Sequence, residues 1–300
     1  MGMFTLAVSP PQWIIDLLSG GSIYTLAQEL WNFVMNLAMV LLGKNVSDFS
    51  NPQTSELMQF IGMTAGTGAW DYVKDTVFPF FLSMGTAFLN IFALAGFCRQ
   101  ASNFKEGVTL EAGFELFIKL FIANVLMVNI LDIMQSFTGF AINTSNVFIP
   151  DAVPNVVGGD YDAGFRLAML LIAPVYLIVA AVCSITILLE VLGRFLNLFM
   201  LISTAPVALS TIAGGKGFET TAAAWFKSFL TNTLQIIVIV LVIQIATRIN
   251  WSLTSFMNVS GLGSWFDGAV PVVGALIFMP FMATAVKGSD SFLKRALALN

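Results

Sequence analysis

The chain has 300 residues, of which 57% are hydrophobic and only 10% are charged, and its formal net charge is −4. A water-facing surface needs roughly a quarter to a third of its residues charged, so this composition excludes a soluble globular protein and indicates one embedded in lipid. The mild charge and scattered basic residues give no sign of a nucleic-acid-binding surface. The absence of histidine argues against metal, haem and Ser-His or Cys-His sites. We therefore expect an all-α, polytopic membrane protein that is not an enzyme and needs no cofactor.

Residues 1–76 are predicted to form an N-terminal region of amphipathic helices and a polar loop. The apolar segment 23–42 carries polar side chains at every fourth position: Gln28, Asn32 and Asn36. They share one helix face, which fits either an interfacial amphipathic helix or a span whose polar stripe faces protein. The interfacial interpretation is favoured. Residues 44–74 are polar and rich in glycine, serine and threonine, which predicts a loop.

Residues 77–286 are predicted to form a transmembrane helix bundle of five or six spans. The apolar segments are 77–98, 115–140, 167–189, 195–213, 229–246 and 269–286. Two of them stay ambiguous, because 195–213 and the proline-containing 269–286 either cross the membrane or dip into it. The link 190–194 fits a tight turn or a continuous long helix equally well.

The distribution of basic residues predicts the orientation of the bundle. More of them fall on the side that holds the C-terminal tail, 287–300, which places this tail in the cytoplasm. The loop 141–166 lies on the same side if 195–213 crosses the membrane, and on the opposite side if it does not.

Asp132 is the most prominent ionisable residue inside a predicted span. Asn124 and Gln135 fall with it within an arc of roughly 80° on the helix. Because an ionisable group at membrane depth must face protein or water, Asp132 is expected to point into a bundle interior or a cavity. It either fixes packing through an interhelical hydrogen bond, which is favoured, or lies in an ion pathway.

Further candidates for a structural role follow along the chain. Glu190 and Arg194 are spaced for an i,i+4 ion pair, as are Glu115 and Lys119. Pro206 interrupts the helical hydrogen bonds, and the hydroxyls of the preceding Ser203 and Thr204 can bond nearby carbonyls. Trp225 and Lys227 stand at the entrance of a span, as an interfacial anchor does, and the other tryptophans lie mostly near segment ends, as in an aromatic belt.

The order of features between residues 189 and 248 resembles the TrbL-type family, the polytopic inner-membrane subunit of type IV secretion and conjugal transfer systems, in a compact Gram-positive form. The matching features are Glu190-Val191-Leu192-Gly193-Arg194, then Ala205-Pro206, a Gly/Lys loop, Ala224-Trp225-Phe226-Lys227 and Leu230-Thr231-Asn232-Thr233-Leu234-Gln235. The match carries an assembly role onto Arg194, Pro206, Trp225 and Lys227. The sequence departs from longer relatives of that family, which carry large extramembrane domains.

The resemblance implies a structural subunit of a conjugative DNA or protein translocation channel in the bacterial cytoplasmic membrane. Such a subunit oligomerises with copies of itself and contacts other secretion subunits, the cytoplasmic ATPases and, transiently, the translocating DNA. The alternative is a secondary transporter or ion channel with Asp132 in the pathway. We find no internal repeat of the kind on which many transporters are built.

Overall fold

The computed structural model describes residues 21–44, 69–102, 110–150, 163–214, 217–259 and 269–296. Every regular element in these ranges is a helix, which confirms the predicted all-α class. The helices are α1 (Gly21–Leu41), α2 (Ala69–Tyr72), α3 (Phe78–Ser102), α4 (Leu110–Asn146), α5 (Ala163–Ser210), α6 (Glu219–Val259) and α7 (Ala269–Ala296). A π-helical turn, Val73–Val77, joins α2 to α3, and a 3₁₀ turn, Thr211–Gly214, follows α5.

Within the described residues, five helical stretches are long and apolar enough to cross a membrane. They are Ala69–Arg99, Gly113–Asn146, Ile172–Gly214, Glu219–Ile249 and Val272–Ala296. The chain is therefore a polytopic helix bundle, as the composition predicted, and five is the lower of the two predicted counts. Helix α1 is not among these stretches, and its interfacial placement stays a prediction.

Helix α5 joins two segments that the sequence separated. Its 48 residues correspond to ~72 Å of continuous helix, so 195–213 is not a span of its own. The link 190–194 contains no proline, and Gly193 is not among the glycines with positive φ. Nothing local therefore favours a turn there, and the helix continues through it.

The last helix, α7, is also continuous. Pro280 lies inside it on its exposed side, and the helix runs on to Ala296. The alternative in which 269–286 dips into the membrane and returns is therefore wrong.

The polar N-terminal region is described only in part. The predicted loop 44–74 is wrong at its end, because α2 and the π-helical turn already begin the first span at Ala69. The remaining predictions for residues 1–20 and 45–68 lie outside the described residues.

Helix α1 ends in a Schellman motif. Gly43 adopts φ 113°, its N–H donates to the Val40 carbonyl at 3.1 Å, and the Lys44 N–H donates to the Met39 carbonyl at 2.9 Å. The Leu42 carbonyl accepts a hydrogen bond from the Ser145 hydroxyl of α4. The end of α1 is thus fixed both by its own backbone and by α4.

The described residues divide into two compact units, and α1, α5, α6 and α7 contribute to both. The first unit contains the described parts of Met1–Ala38, Pro150–Glu190 and Val242–Lys287. The rings of Tyr24 and Tyr176 pack there at 5.1 Å between centroids. Its other buried positions include many alanines: Ala27, Ala38, Ala173, Ala180, Ala246, Ala275 and Ala283. Small residues at helix contacts let backbones approach closely, as is typical of helices packed in membranes.

The second unit contains the described parts of Met39–Ile149, Val191–Leu241 and Gly288–Asn300. Two glycines of α3 mark its tightest packing. A Cβ atom on Gly85 would lie 2.7 Å from the carbonyl carbon of Pro206, and one on Gly96 would lie 2.8 Å from the Ala213 carbonyl oxygen. Helix α3 therefore packs backbone to backbone against the end of α5 and the 3₁₀ turn.

Candidate functional site

Arg194 of α5 forms a buried polar cluster with α6 and α7 in the second unit. Its Nη2 donates to the Ser289 hydroxyl oxygen at 3.5 Å, and the Gln235 side-chain amide donates to the same oxygen at 3.3 Å. Arg194 is 4% exposed, and Gln235 and Ser289 are each 2% exposed. We call these three residues the Arg194 cluster.

Burial makes the Arg194 cluster a constraint on how the helices pack. A buried guanidinium is costly unless polar groups surround it, so the arrangement holds only when α5, α6 and α7 meet in this register. Both hydrogen bonds are long, which makes each one weak. The cluster therefore specifies packing rather than supplying a large stabilisation.

The sequence predicted Arg194 but missed Ser289, which lies between the charged residues Lys287 and Asp290 in the predicted tail. A signal was nevertheless present. Ser289 continues the buried series of α7, which has helical spacing: Met279, Met282, Val286, Ser289 and Leu293. That periodicity marks one packed face.

Pro206 lies in a second site of close packing. It is buried, and α5 continues past it for one turn to Ser210, so the helix is not broken at the proline. The neighbouring hydroxyls bond carbonyls one turn earlier and not the Ile202 carbonyl that Pro206 frees. Ser203 donates to the Phe199 carbonyl at 2.8 Å, and Thr204 donates to the Met200 carbonyl at 3.0 Å.

Trp225 reaches this turn from α6. Its indole N–H donates to the Leu201 carbonyl at 3.1 Å, and its ring stacks on Phe229 with 6.1 Å between centroids. Trp225 thus joins α6 to the α5 turn that precedes Pro206. The prediction that Trp225 is an interfacial anchor is wrong, because its side chain is buried in protein. Its neighbour Lys227 is exposed.

The predicted aromatic belt fails at two further tryptophans whose side chains the structure describes. Trp31 and Trp70 are buried, and Trp70 packs against Phe199 at 5.8 Å between ring centroids. A position near a segment end predicts a belt only when the ring faces lipid, and here the rings fill helix–helix contacts.

Lys119 forms an ion-pair cluster between α4 and α6. Its Nζ lies 2.9 Å from Glu115 Oε1, which confirms the predicted i,i+4 pair, and 2.6 Å from Glu219 Oε1. The side chains are partly exposed, at 27% for Lys119 and 42% for Glu219, so screening limits the stabilisation. Sequence spacing could not show Glu219, which is a hundred positions away.

Glu190 and Asp132 are the two remaining candidates. Glu190 is half-buried on α5, one turn before Arg194, among residues of the first unit. Asp132 is exposed, as are Asn124 and Gln135. The prediction that Asp132 points into a bundle interior is therefore wrong for a single chain. Among the described residues, no group of three His, Cys, Asp or Glu side chains could hold a metal ion.

No family model, curated protein or solved structure matches this chain. What the arrangement does physically is join helices. The Arg194 cluster and Trp225 connect α5 to its neighbours through N–H groups, and Lys119 connects α4 to α6.

Proposed function

We propose that this chain is a structural subunit of a TrbL-type channel for conjugative DNA or protein transfer in the bacterial cytoplasmic membrane. The observation that carries the proposal is the position of three residues from the block that resembles the family: Arg194, Pro206 and Trp225. Each of them lies at a contact between helices. Polar groups that hold helices together suit a scaffold around which other subunits assemble.

In this role the chain assembles with copies of itself, with other secretion subunits and with the cytoplasmic ATPases, and it contacts translocating DNA only transiently. Of the four residues to which the resemblance gives an assembly role (Arg194, Pro206, Trp225 and Lys227), Lys227 is the one whose side chain is exposed. It is available for a contact outside the chain, whereas Arg194 is committed to internal packing.

The test begins with deletion of the gene in its natural host, which should abolish transfer of DNA to recipient cells. Complementation with Lys227→Ala should restore the membrane level of the protein but reduce transfer, whereas Arg194→Ala should lower the level itself. Affinity capture of the wild-type chain from native membranes should recover secretion subunits and ATPases. Normal transfer without the gene, or capture of monomers with no such partners, would refute the proposal.

The exposed carboxylate of Asp132 favours one other function, a secondary transporter or ion channel with this residue in the pathway. Asp132→Asn separates the two functions, because the amide keeps the size and removes the charge. Intact assembly together with lost ion-coupled uptake would favour transport. Unchanged ion fluxes in vesicles would eliminate it.

The five-span count also gives the proposal an orientation. If every candidate span crosses once, three crossings separate the end of α4 from the end of α7, so the two ends lie on opposite sides. In this orientation the C-terminal end of α3 and the N-terminal ends of α4 and α6 share the cytoplasmic side, and these three helix ends are in contact. Lys119 lies 2.6 Å from Glu219, and the Arg99 guanidinium lies 5.0 Å from the centroid of the Phe218 ring.

This orientation has its own test. A reporter enzyme that is active only outside the cytoplasm should be active when it is inserted after Pro150. The same enzyme should be inactive when it is inserted after Ala296. Two reporters on the same side would show that a candidate span does not cross.

A further inference from the structure

The outward face of α4 carries four polar side chains: Asn129, Asp132, Gln135 and Ser136. All four are exposed, and at about 100° per residue they fall within an arc of ~120° centred on Asp132. The side chains that α4 buries lie on the opposite side: Ala123, Met127, Ile130 and Met134. We call the four exposed residues the α4 polar patch.

The α4 polar patch lies at membrane depth. The ion pairs of Lys119 mark one end of the apolar part of α4, and the exposed Asn143 marks the other. Asp132 is ~20 Å along the helix from Lys119 and ~16 Å from Asn143, and the hydrocarbon core is ~30 Å thick. Only 17% of the most apolar stretch of α4 is buried in the chain, against 50% for α6 and for α7.

The Asp132 carboxylate at the centre of the patch has no polar partner among the described residues. No hydrogen bond or ion pair joins Asp132 to any other described residue. An ionisable side chain that faces lipid at this depth is strongly disfavoured, so either protein or water must cover the patch.

The residues on either side of the patch decide between protein and water. A water-filled pathway needs a polar lining along its length. Towards Lys119, however, the same face of α4 continues with exposed apolar side chains, Phe121, Val125 and Val128. A short polar patch that borders an apolar surface instead fits a contact in which helices bond to each other within the membrane.

We propose that the α4 polar patch packs against the same patch of a second copy of this chain. Copies inserted in one orientation bring residues of the same number to the same depth. The amides of Asn129 and Gln135 then lie ~4.5 Å along the helix above and below the Asp132 carboxylate of the neighbouring copy. Amides donate and a carboxylate accepts, so each copy offers donors to the carboxylate of the other, and the small Ser136 permits close approach. The inference rests on the proposed function, in which several copies assemble.

Disulfide crosslinking of the full-length chain in its own membrane tests this contact. Ser136→Cys is placed in a background without the native thiols, Cys98→Ser and Cys183→Ala. Oxidation should yield disulfide-linked dimers. The matched control Ile91→Cys, which is 58% exposed on α3, should yield few.

Self-association of the purified chain in lipid vesicles provides the second measurement. Asp132→Leu and Gln135→Leu should each weaken dimerisation by about 3- to 30-fold, the range measured for interhelical hydrogen bonds in membranes. Phe121→Leu, on the same face, should leave it unchanged. The unfolding temperature should stay near that of the wild type in all three variants, because these side chains face outward.

Three outcomes would overturn the inference. Ser136→Cys could react with a membrane-impermeant thiol reagent and form no dimer, which would show a water-lined pathway. Ser136→Cys could instead crosslink only to a different protein. Finally, it could form no crosslink and also fail to react with the reagent. Dimers in vesicles that contain this chain alone need no secretion machinery, so the inference can stand where the proposed function fails. Conversely, capture of secretion partners without dimers would refute the inference and leave the proposed function standing.

Discussion

Replacement of Gly85 by alanine tests the closest approach between helices in the second unit. The added Cβ would lie 2.7, 2.8 and 2.9 Å from the carbonyl carbon, carbonyl oxygen and Cβ of Pro206. These atoms belong to a rigid backbone and a ring, so no flexible side chain can move aside. Helix α3 must therefore shift away from α5, and we expect the free energy of unfolding to fall.

The magnitude follows from two opposing effects. Overpacking of a well-packed contact costs typically ~1–3 kcal/mol, while the change from glycine to alanine inside a helix stabilises by roughly 0.5–1 kcal/mol. Gly193→Ala is the matched control, since Gly193 lies inside α5 and a Cβ there meets nothing within 4 Å. The control should gain stability and Gly85→Ala should lose it. The difference between the two variants isolates the overpacking, ~1–3 kcal/mol.

The assay is reversible unfolding of the purified full-length chain in mixed micelles with a rising fraction of denaturing detergent, followed by tryptophan fluorescence. Gly85→Ala should unfold at a lower detergent fraction than the wild type, and Gly193→Ala at the same or a higher one. Equal midpoints for the two variants would refute the backbone contact between α3 and Pro206.

The same assay tests three further sites. Gly43→Ala should lower the free energy of unfolding more than Gly217→Ala does. Both glycines have positive φ, but only at Gly43 would a Cβ also lie 2.9 Å from a side-chain carbon. Equal losses of stability in the two variants would contradict this crowding at Gly43. Ser289→Ala should cost about 1–3 kcal/mol by removing an acceptor shared by two buried donors, while Ser291→Ala, exposed on the same helix, should change stability by less than ~0.5 kcal/mol. Trp225→Phe keeps an aromatic ring and loses one hydrogen bond, so a loss of ~0.5–1.5 kcal/mol is expected, and none would mean that the bond does not form.

The apolar segments were predictable because lipid allows so few backbone solutions. In the hydrocarbon core every backbone polar group must be paired within the segment, so the strongly β-branched run 236–240 had to be helical, and it lies in α6. What the sequence could not decide was whether neighbouring segments join. The composition of residues 190–194 is compatible with a turn as well as with a helix, although no proline or positive-φ glycine requires a turn.

Arg194 and Asp132 show why the roles of polar residues were harder to predict. Both are charged residues inside long apolar helices, yet Arg194 is buried and Asp132 is exposed. Helical periodicity tells which residues share a face, but it does not tell which face meets another helix. That depends on partners distant in the sequence, such as Ser289 for Arg194.

The surroundings of each charge do hold a clue. The positions one turn away from Arg194 are Val191 and Leu198, both buried and apolar, and the polar Glu190 and Asn197, so its charge borders a packed apolar face. The positions one turn away from Asp132 include Asn129, Gln135 and Ser136, which are all polar and exposed. A face with several polar residues at one depth cannot be turned towards lipid, and a single chain that leaves it uncovered is incomplete on that side. We therefore infer that Asp132 contributes to an interface between chains, whereas Arg194 packs within a single chain.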